Sequence, residues 1–400
     1  MSREASGLGP PTRRECLKYG GVVVGASGLA GCTGGADRKS TSTSTTAATV
    51  TETSTADAGT STEPETTTTD ASYSATMEPV GTVEFDEVPE TWVPFTGDYA
   101  DMGVALGRSD GLAAIGVRRR FGAHLYEDLP DVSVAKSELT ELWQDGTDKE
   151  VLYELDADVH VVDPNFVINR LQWGREDVEE VGENVAPFFG NTTFTRAYDW
   201  HDYPYYSMYE AFERLAAVFR ERARYQAFER YHDEVLADVE ERLPEGTLDV
   251  AVLVPADVPP EAFWPYRIGA GTQSKHWRDL HAGDALARTD VTDAQAGGGT
   301  IDYETLLEVD PEVIAVRLSG GITQEWVDEN VTAHMREHPV ASELTAVRND
   351  RVVYGGMTYQ GPIIHLFQLE EAARGLYPDE FGGERLFDRE RVANIVNGAF

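Results

Sequence analysis

Only two cysteines, Cys16 and Cys32, occur among 400 residues, both inside the first 32. No disulfide can therefore staple the rest of the chain, and its fold must rest on a core, which about 320 residues supply as two domains. Lysine is nearly as scarce: five of the 33 basic residues, against 70 acids, for a net charge of −37. No basic face is available to contact phosphates, which excludes a nucleic-acid partner. The chain also has no apolar run long enough for a permanent transmembrane helix. Nor does it contain a Gly-x-Ser-x-Gly elbow, a phosphate-cradling glycine loop, a His-Glu-x-x-His pair or a usable cysteine nucleophile. An enzyme is not expected. Asp199, His201 and Asp202 beside Tyr203 would suit acid–base work, but a polar turn between lobes explains them equally well.

The first 32 residues read as an address. Arg13 and Arg14 precede a weakly apolar stretch, Tyr19 to Ala30, that ends in Leu29-Ala30-Gly31-Cys32. The order resembles a twin-arginine export signal closed by a lipoprotein box, which implies cleavage before Cys32, lipidation of its sulfur and display on the outer face of the cytoplasmic membrane. Residues 33–79 read as a disordered stalk, since 19 of the 30 residues from Ser40 to Thr69 are Ser or Thr and bury too little to offset ordering. Glycosylation of this stalk and of the sequons at Asn191 and Asn330 would fit an exposed protein. Without residues 1–31, which hold four basic and two acidic side chains, the remainder carries −39. Carboxylate excess with little lysine resembles haloarchaeal and other halophilic proteins, whose self-repulsion is screened over about 3 Å near 1 M salt.

What the chain does have is an internal echo. Residues 149–162 (KEVLYELDADVHVV) recur as 303–316 (YETLLEVDPEVIAV), with Glu150/Glu304, Leu152/Leu306, Glu154/Glu308, Asp156/Asp310, Val159/Val313 and Val162/Val316 identical. Each copy reads as a short helix, an acidic turn and an apolar strand. One repetition at this distance predicts two α/β lobes built alike, with mostly parallel, Rossmann-like sheets and a cleft between them. Strands are expected at Val80–Phe85, Ala113–Val117, Val159–Val162 and Val185–Phe189 in an N-terminal lobe (80–204), and at Leu248–Val254, Val313–Val316 and Val352–Tyr354 in a C-terminal lobe (244–400). Between them, 205–243 has neither Gly nor Pro, and its two apolar stripes are separated by the arginine-rich Arg220–Arg224, so two helices are expected there. The second, about 20 residues and roughly 30 Å long, would join the lobes.

Ligands of open α/β sheets bind beyond the carboxyl ends of the strands. Arg118, Arg119 and Arg120 follow the second strand candidate and would suit an anionic ligand or pair with nearby carboxylates. Trp264, Tyr266, Arg317 and Tyr359 follow the later strands; aromatic faces with an occasional arginine would clasp a bulky planar or catecholate chelate.

This arrangement resembles the iron–siderophore and cobalamin class of ABC-transporter substrate-binding lipoproteins over roughly residues 80–400. The likeness is carried by GDYADMGVALG (97–107), the two matched segments, HPVASELTAVRNDRVVY (338–354) and LYPDEF (376–381). The resemblance implies a bilobal clamp on one stiff helix that delivers a small metal chelate to a dimeric permease with its ATPase, working as a monomer with no cofactor of its own. It also implies that one glutamate per lobe, by position Glu150 and Glu304, docks onto permease arginines. A relative binds bare zinc or manganese through clustered histidines. Here His124, His160, His201, His276, His281, His334, His338 and His365 are scattered, so iron is expected already wrapped in its chelator. Among ligands a ferric siderophore is favoured, with cobalamin or haem as alternatives (Tyr198, Tyr203 or Tyr359 could meet a haem iron). A surface adhesin or structural lipoprotein is the alternative outside transport.

Overall fold

Tyr73 and Phe85 face each other across the first hairpin, their rings stacked 5.5 Å apart. This hairpin, β1 (Tyr73–Met77) and β2 (Gly81–Phe85), opens the described part of a computed structural model that covers residues 72–143, 148–383 and 385–400. It corrects two expectations. Residues 73–77 are a strand where a stalk was expected, because Tyr73, Ala75 and Met77 pack apolar surface against the helix Met208–Val218. The strand at 80–85 pairs only within the hairpin and lies outside the main sheet. The export signal, Cys32 and the Ser/Thr-rich residues up to 71 lie outside the described residues.

The N-terminal lobe's sheet is parallel and short-stranded. β3 (Trp92–Pro94) pairs with β6 (Val159–Val161), and β4 (Ala114–Ile115) with β5 (Thr140–Glu141). Parallel bridges at Trp92–Leu112 and His160–Phe188 connect these pairs and extend the edge. The resulting order, residues 140, 114, 92, 159, 188, is the 3-2-1-4-5 order of a doubly wound fold. The expected strand 185–189 contributes only its bridge at Phe188, and 113–117 shortens to two residues.

The C-terminal lobe carries a continuous mixed sheet. β7 (Asp249–Pro255) lies between β8 (Ala262–Tyr266), antiparallel, and β11 (Val313–Val316), parallel. β9 (Gly283–Asp284) pairs with the start of β7, β10 (Ile301–Asp302) with β8, and β12 (Val352–Tyr354) with β11. Helix Glu150–Leu155 leads into β6 beside β3, just as helix Tyr303–Val309 leads into β11 beside β7. Asp156 and Asp310 close these helices in the left-handed conformation, at φ 44° and 41°, a geometry that aspartate tolerates at modest cost. The duplicated words of the sequence are thus duplicated structure.

Period-two alternation assigns the strands' side chains to three cores. Val250 and Val252 of β7, Val313 and Ala315 of β11, Trp92 of β3, and Val159 and Val161 of β6 all enter one central core. Ala251, Leu253, Ile314 and Val316 pack a second core behind the C-terminal sheet, and Val93 and Val162 a third behind the N-terminal one. The central core is filled by helices, including Arg222–Arg242, the 21-residue rod that links the lobes after a break at Arg220 (φ 55°). Asp101, buried in the helix Gly97–Ala105, adds a polar strap. Its carboxylate accepts from the amides of Ile363 (2.9 Å) and Ile364 (3.0 Å) at the start of helix Pro362–Leu376, and from the Tyr126 hydroxyl (2.6 Å). Among the described residues no helix is long and apolar enough to cross a membrane.

Candidate functional site

The carboxyl ends of both sheets converge on one cleft. From the N-terminal lobe come Phe95 after β3, Val117, Arg119 and Arg120 after β4, Trp143 after β5, and Phe166 and Arg170 after β6, with Phe194 and Tyr198 from the following loop. From the C-terminal lobe come Val254 and Pro255 at the end of β7, Tyr266 at the end of β8, Arg317 to Ser319 after β11, and Thr358 and Tyr359 after β12, with Gln295 below.

Seven of its lining residues are aromatic: Phe95, Trp143, Phe166, Phe194, Tyr198, Tyr266 and Tyr359. Phe166 stands 5.6 Å from Phe95 and 6.0 Å from Phe194, whose ring meets Tyr359 edge-on at 5.2 Å across the lobes. Gly97 packs closely beneath Tyr359, where a Cβ would come within 3.1 Å of the Tyr359 Cβ. Burial raises the phenol of Tyr359 above its ordinary range, with Arg120 opposing; Tyr266 and Tyr198 are raised by burial as well. All three therefore face the cleft as neutral hydroxyl-bearing rings.

The charged side chains lining the cleft are all cationic. Arg119, Arg120, Arg170 and Arg317 line it, and no Asp or Glu does among the described residues. Arg120 hydrogen-bonds to Tyr359, and the Arg170 guanidinium lies 5.1 Å from the Tyr198 ring. Arg317 is 1% exposed, sits 5.3 Å from the Tyr266 ring, and has its pKa lowered by burial to about 10. Its two Nη atoms donate to Gln273, to Oε1 at 3.3 Å and to the carbonyl at 3.1 Å, and Nε has no partner. Sequestering a guanidinium without an anion costs several kcal/mol, roughly, on general grounds. In a chain with 70 acids, such a pocket fits a guest that brings its own negative charge.

Five of the seven residues expected to meet the ligand line the cleft: Arg119, Arg120, Tyr266, Arg317 and Tyr359. Arg118 and Trp264 do not. Arg118 opens the 3₁₀ turn Arg118–Arg120, its amide held by Glu141 at 2.9 Å. Trp264 belongs to β8, opposite Val254, instead of a loop. Phe166, Arg170 and Phe194 were missed. The strand-end rule, extended to the residues after Val159–Val162, would have found Phe166 and Arg170, because Asp163 caps the next helix (Asn165 amide to Oδ1, 2.9 Å) and Pro164 starts it.

Glu150 and Glu304 are both exposed, away from the cleft, in the first turns of the two repeated helices. Only three large apolar side chains are exposed among the described residues: Tyr153, Leu307 and the C-terminal Phe400. Tyr153 and Leu307 occupy the same place in the two repeats, each three residues after its glutamate.

Residues 96–358 match a family model described as periplasmic binding protein. No curated protein matches the sequence. Similar solved structures include a periplasmic binding protein from Veillonella parvula, at TM-score 0.58 and 12% identity, covering 77% of this chain and 98% of that one. The iron uptake ABC transporter substrate-binding protein PiuA from Streptococcus pneumoniae gives TM-score 0.53 and 14% identity, covering 76% and 99%. The siderophore binding protein BauB, bound to ferric iron and two molecules of acinetobactin, gives TM-score 0.53 and 15% identity, covering 76% and 98%. At these identities the likeness is one of fold.

Proposed function

Because this chain belongs to the periplasmic binding protein family, a family of receptors, we propose that it captures an anionic ferric siderophore outside the cytoplasm and hands it to an ABC permease. The observation that carries this reading is a cleft wall with four arginines and, among the described residues, no carboxylate, in a strongly acidic protein. Aromatic faces between those arginines favour a chelate with planar rings. The ferric complex held by a structural relative is in keeping with such a guest.

The experiment is a ligand panel in high salt, with thermal shift and tryptophan quenching as readouts. Ferric catecholates are expected to stabilise the protein most, ferric hydroxamates less. Stabilisation by cobalamin alone, or by haem alone, would replace the ligand assignment, and no response to any of them would favour a structural lipoprotein.

Delivery is assigned to the two repeated helices. Glu150 with Tyr153, and Glu304 with Leu307, form matching patches that suit a twofold permease dimer presenting arginines beside an apolar surface. Twin-arginine export, lipidation at Cys32 and a monomeric, salt-adapted receptor complete the proposal. Loss of membrane retention in a Cys32→Ser variant tests the anchor.

A further inference from the structure

We propose that Gln273 is a specificity-determining residue that keeps the charge of Arg317 free for the guest, so that the cleft selects chelates by net negative charge. The inference rests on the receptor reading above and names the electrostatic class of its ligand.

Arg317 follows β11 directly, its amide held by the Leu253 carbonyl at 2.8 Å. Its side chain reaches the loop 272–274, where every hydrogen bond it makes is to a neutral oxygen of Gln273. Gln273 is itself held on its other side. Its Nε2 donates to Gln295 Oε1 at 2.8 Å, so Oε1 is the atom that faces the guanidinium. Its backbone amide donates to the Phe194 carbonyl of the opposite lobe at 3.2 Å. The carboxylate whose field reaches Arg317 is Asp293, and its oxygens are taken by the amides of Arg267 (2.7 Å) and Gln295 (2.7 Å). No carboxylate lies within ion-pairing distance of Arg317 among the described residues.

The choice of amide is uncommon for this chain, which has eight glutamines and 70 acids. Three of the eight gather here. Gln273 and Gln295 bond to each other, and Gln360, fully buried, donates to the Thr272 carbonyl at 2.6 Å. A glutamate at 273 would have the same shape and would neutralise Arg317 outright. Glutamine holds the guanidinium in place with two weak dipoles and leaves its monopole uncancelled. Within a partly desolvated cleft a unit charge acts over several ångströms with little screening. Its cancellation is worth on the order of tenfold or more in affinity for an anion, and close to nothing for a neutral guest.

The test compares full-length wild type with Gln273→Glu and Gln273→Ala, using a ferric tris-catecholate (net anionic) and a neutral ferric trihydroxamate as probes. Affinity is measured by tryptophan quenching in high salt, and thermal unfolding is followed in parallel. Gln273→Glu is expected to lose at least about tenfold for the tris-catecholate and to stay within about twofold for the trihydroxamate, while still unfolding cooperatively. Gln273→Ala, which loosens Arg317 without cancelling it, is expected to keep the preference for the anion. Equal losses for both probes in Gln273→Glu, or no loss for either, would overturn the inference while leaving the receptor reading intact. Wild type that binds neither probe would remove the receptor reading and this inference with it.

Discussion

The two lobes share one plan and are built from different materials. The C-terminal sheet has a seven-residue central strand, β7, apolar on both faces and paired along its whole length. No strand of the N-terminal parallel sheet exceeds three residues, and two of its links are single bridges. What the N-terminal lobe lacks in ladder it makes up with buried polar groups. Asp98 holds Thr193, Asp101 ties two helices, and Asp163 accepts from Thr192 and Tyr203. A long apolar strand tolerates changes of pH; buried carboxyls and histidines do not. The C-terminal lobe buries titratable groups as well, among them His276, His365 and Glu370, so both lobes respond to pH, and they differ in the ladder that holds them.

The largest expected effect tests the sameness of the lobes. Glu150→Arg and Glu304→Arg should each abolish uptake in cells while leaving chelate affinity unchanged. Loss of binding instead, or tolerance of one substitution, would mean that the repeats do not dock as a pair.

Asp101 gives the next effect. Burial raises its carboxyl to about 7 from 3.8, so the folded state binds more protons than the unfolded one between those values. Its contribution to stability therefore falls as pH rises from about 4 to 7, by roughly 4 kcal/mol in all. Asp101→Asn, which can still accept from the two amides, should flatten that limb in denaturant titrations. An unchanged limb would place the raised carboxyl elsewhere.

His160 acts in the opposite sense. Fully buried, with Nδ1 3.2 Å from the Ala186 carbonyl, it has its pKa lowered to about 4 from 6.5. Only the unfolded state takes up its proton between these values, so stability is lost as pH falls from 6.5 towards 4, by roughly 3 kcal/mol. His160→Gln should remove its share of that acid limb, with the lowered His201 and His365 keeping the remainder. Together the two variants separate opposing slopes that partly cancel in the wild type.

A pair of helical glycines gives the smallest effects. A Cβ on Gly103 would lie 2.2 Å from the Trp92 ring, whereas one on Gly375 would sit 3.3 Å from Val353. Gly103→Ala should cost about 1–3 kcal/mol by overpacking. Gly375→Ala should be within about 1 kcal/mol of neutral, helped by helix propensity. Equal melting temperatures would show that the short-stranded lobe yields more readily than its packing implies.

The same contrast explains what could be read in advance. β7 and β11 are legible because strands buried on both faces are unbroken apolar runs. The repeat gave away the lobes and the placement of Glu150 and Glu304. β8 was hidden by Pro265, which reads as a loop residue. Proline is accommodated there because β10 pairs only with Ala262 and Phe263, leaving the edge beyond them unpaired. β1 was hidden by its neighbours, since the Ser/Thr-rich composition runs almost up to it and only Tyr73 and Met77 mark the change. In the cleft, single arginines after strands were visible. The neutral glutamines that hold one of them were not, because an isolated Gln carries no pattern.

The inner faces of both sheets and the connecting rod belong to one packed interior. A pair of jaws fused at the root cannot swing wide, since any opening would tear contacts that hold the whole body together. Loading and unloading must then depend on small shifts of rings and guanidinium groups at the mouth. On the proposed function, a permease gripping both ends of such a nearly inflexible object would have to supply most of the force that lets the cargo go.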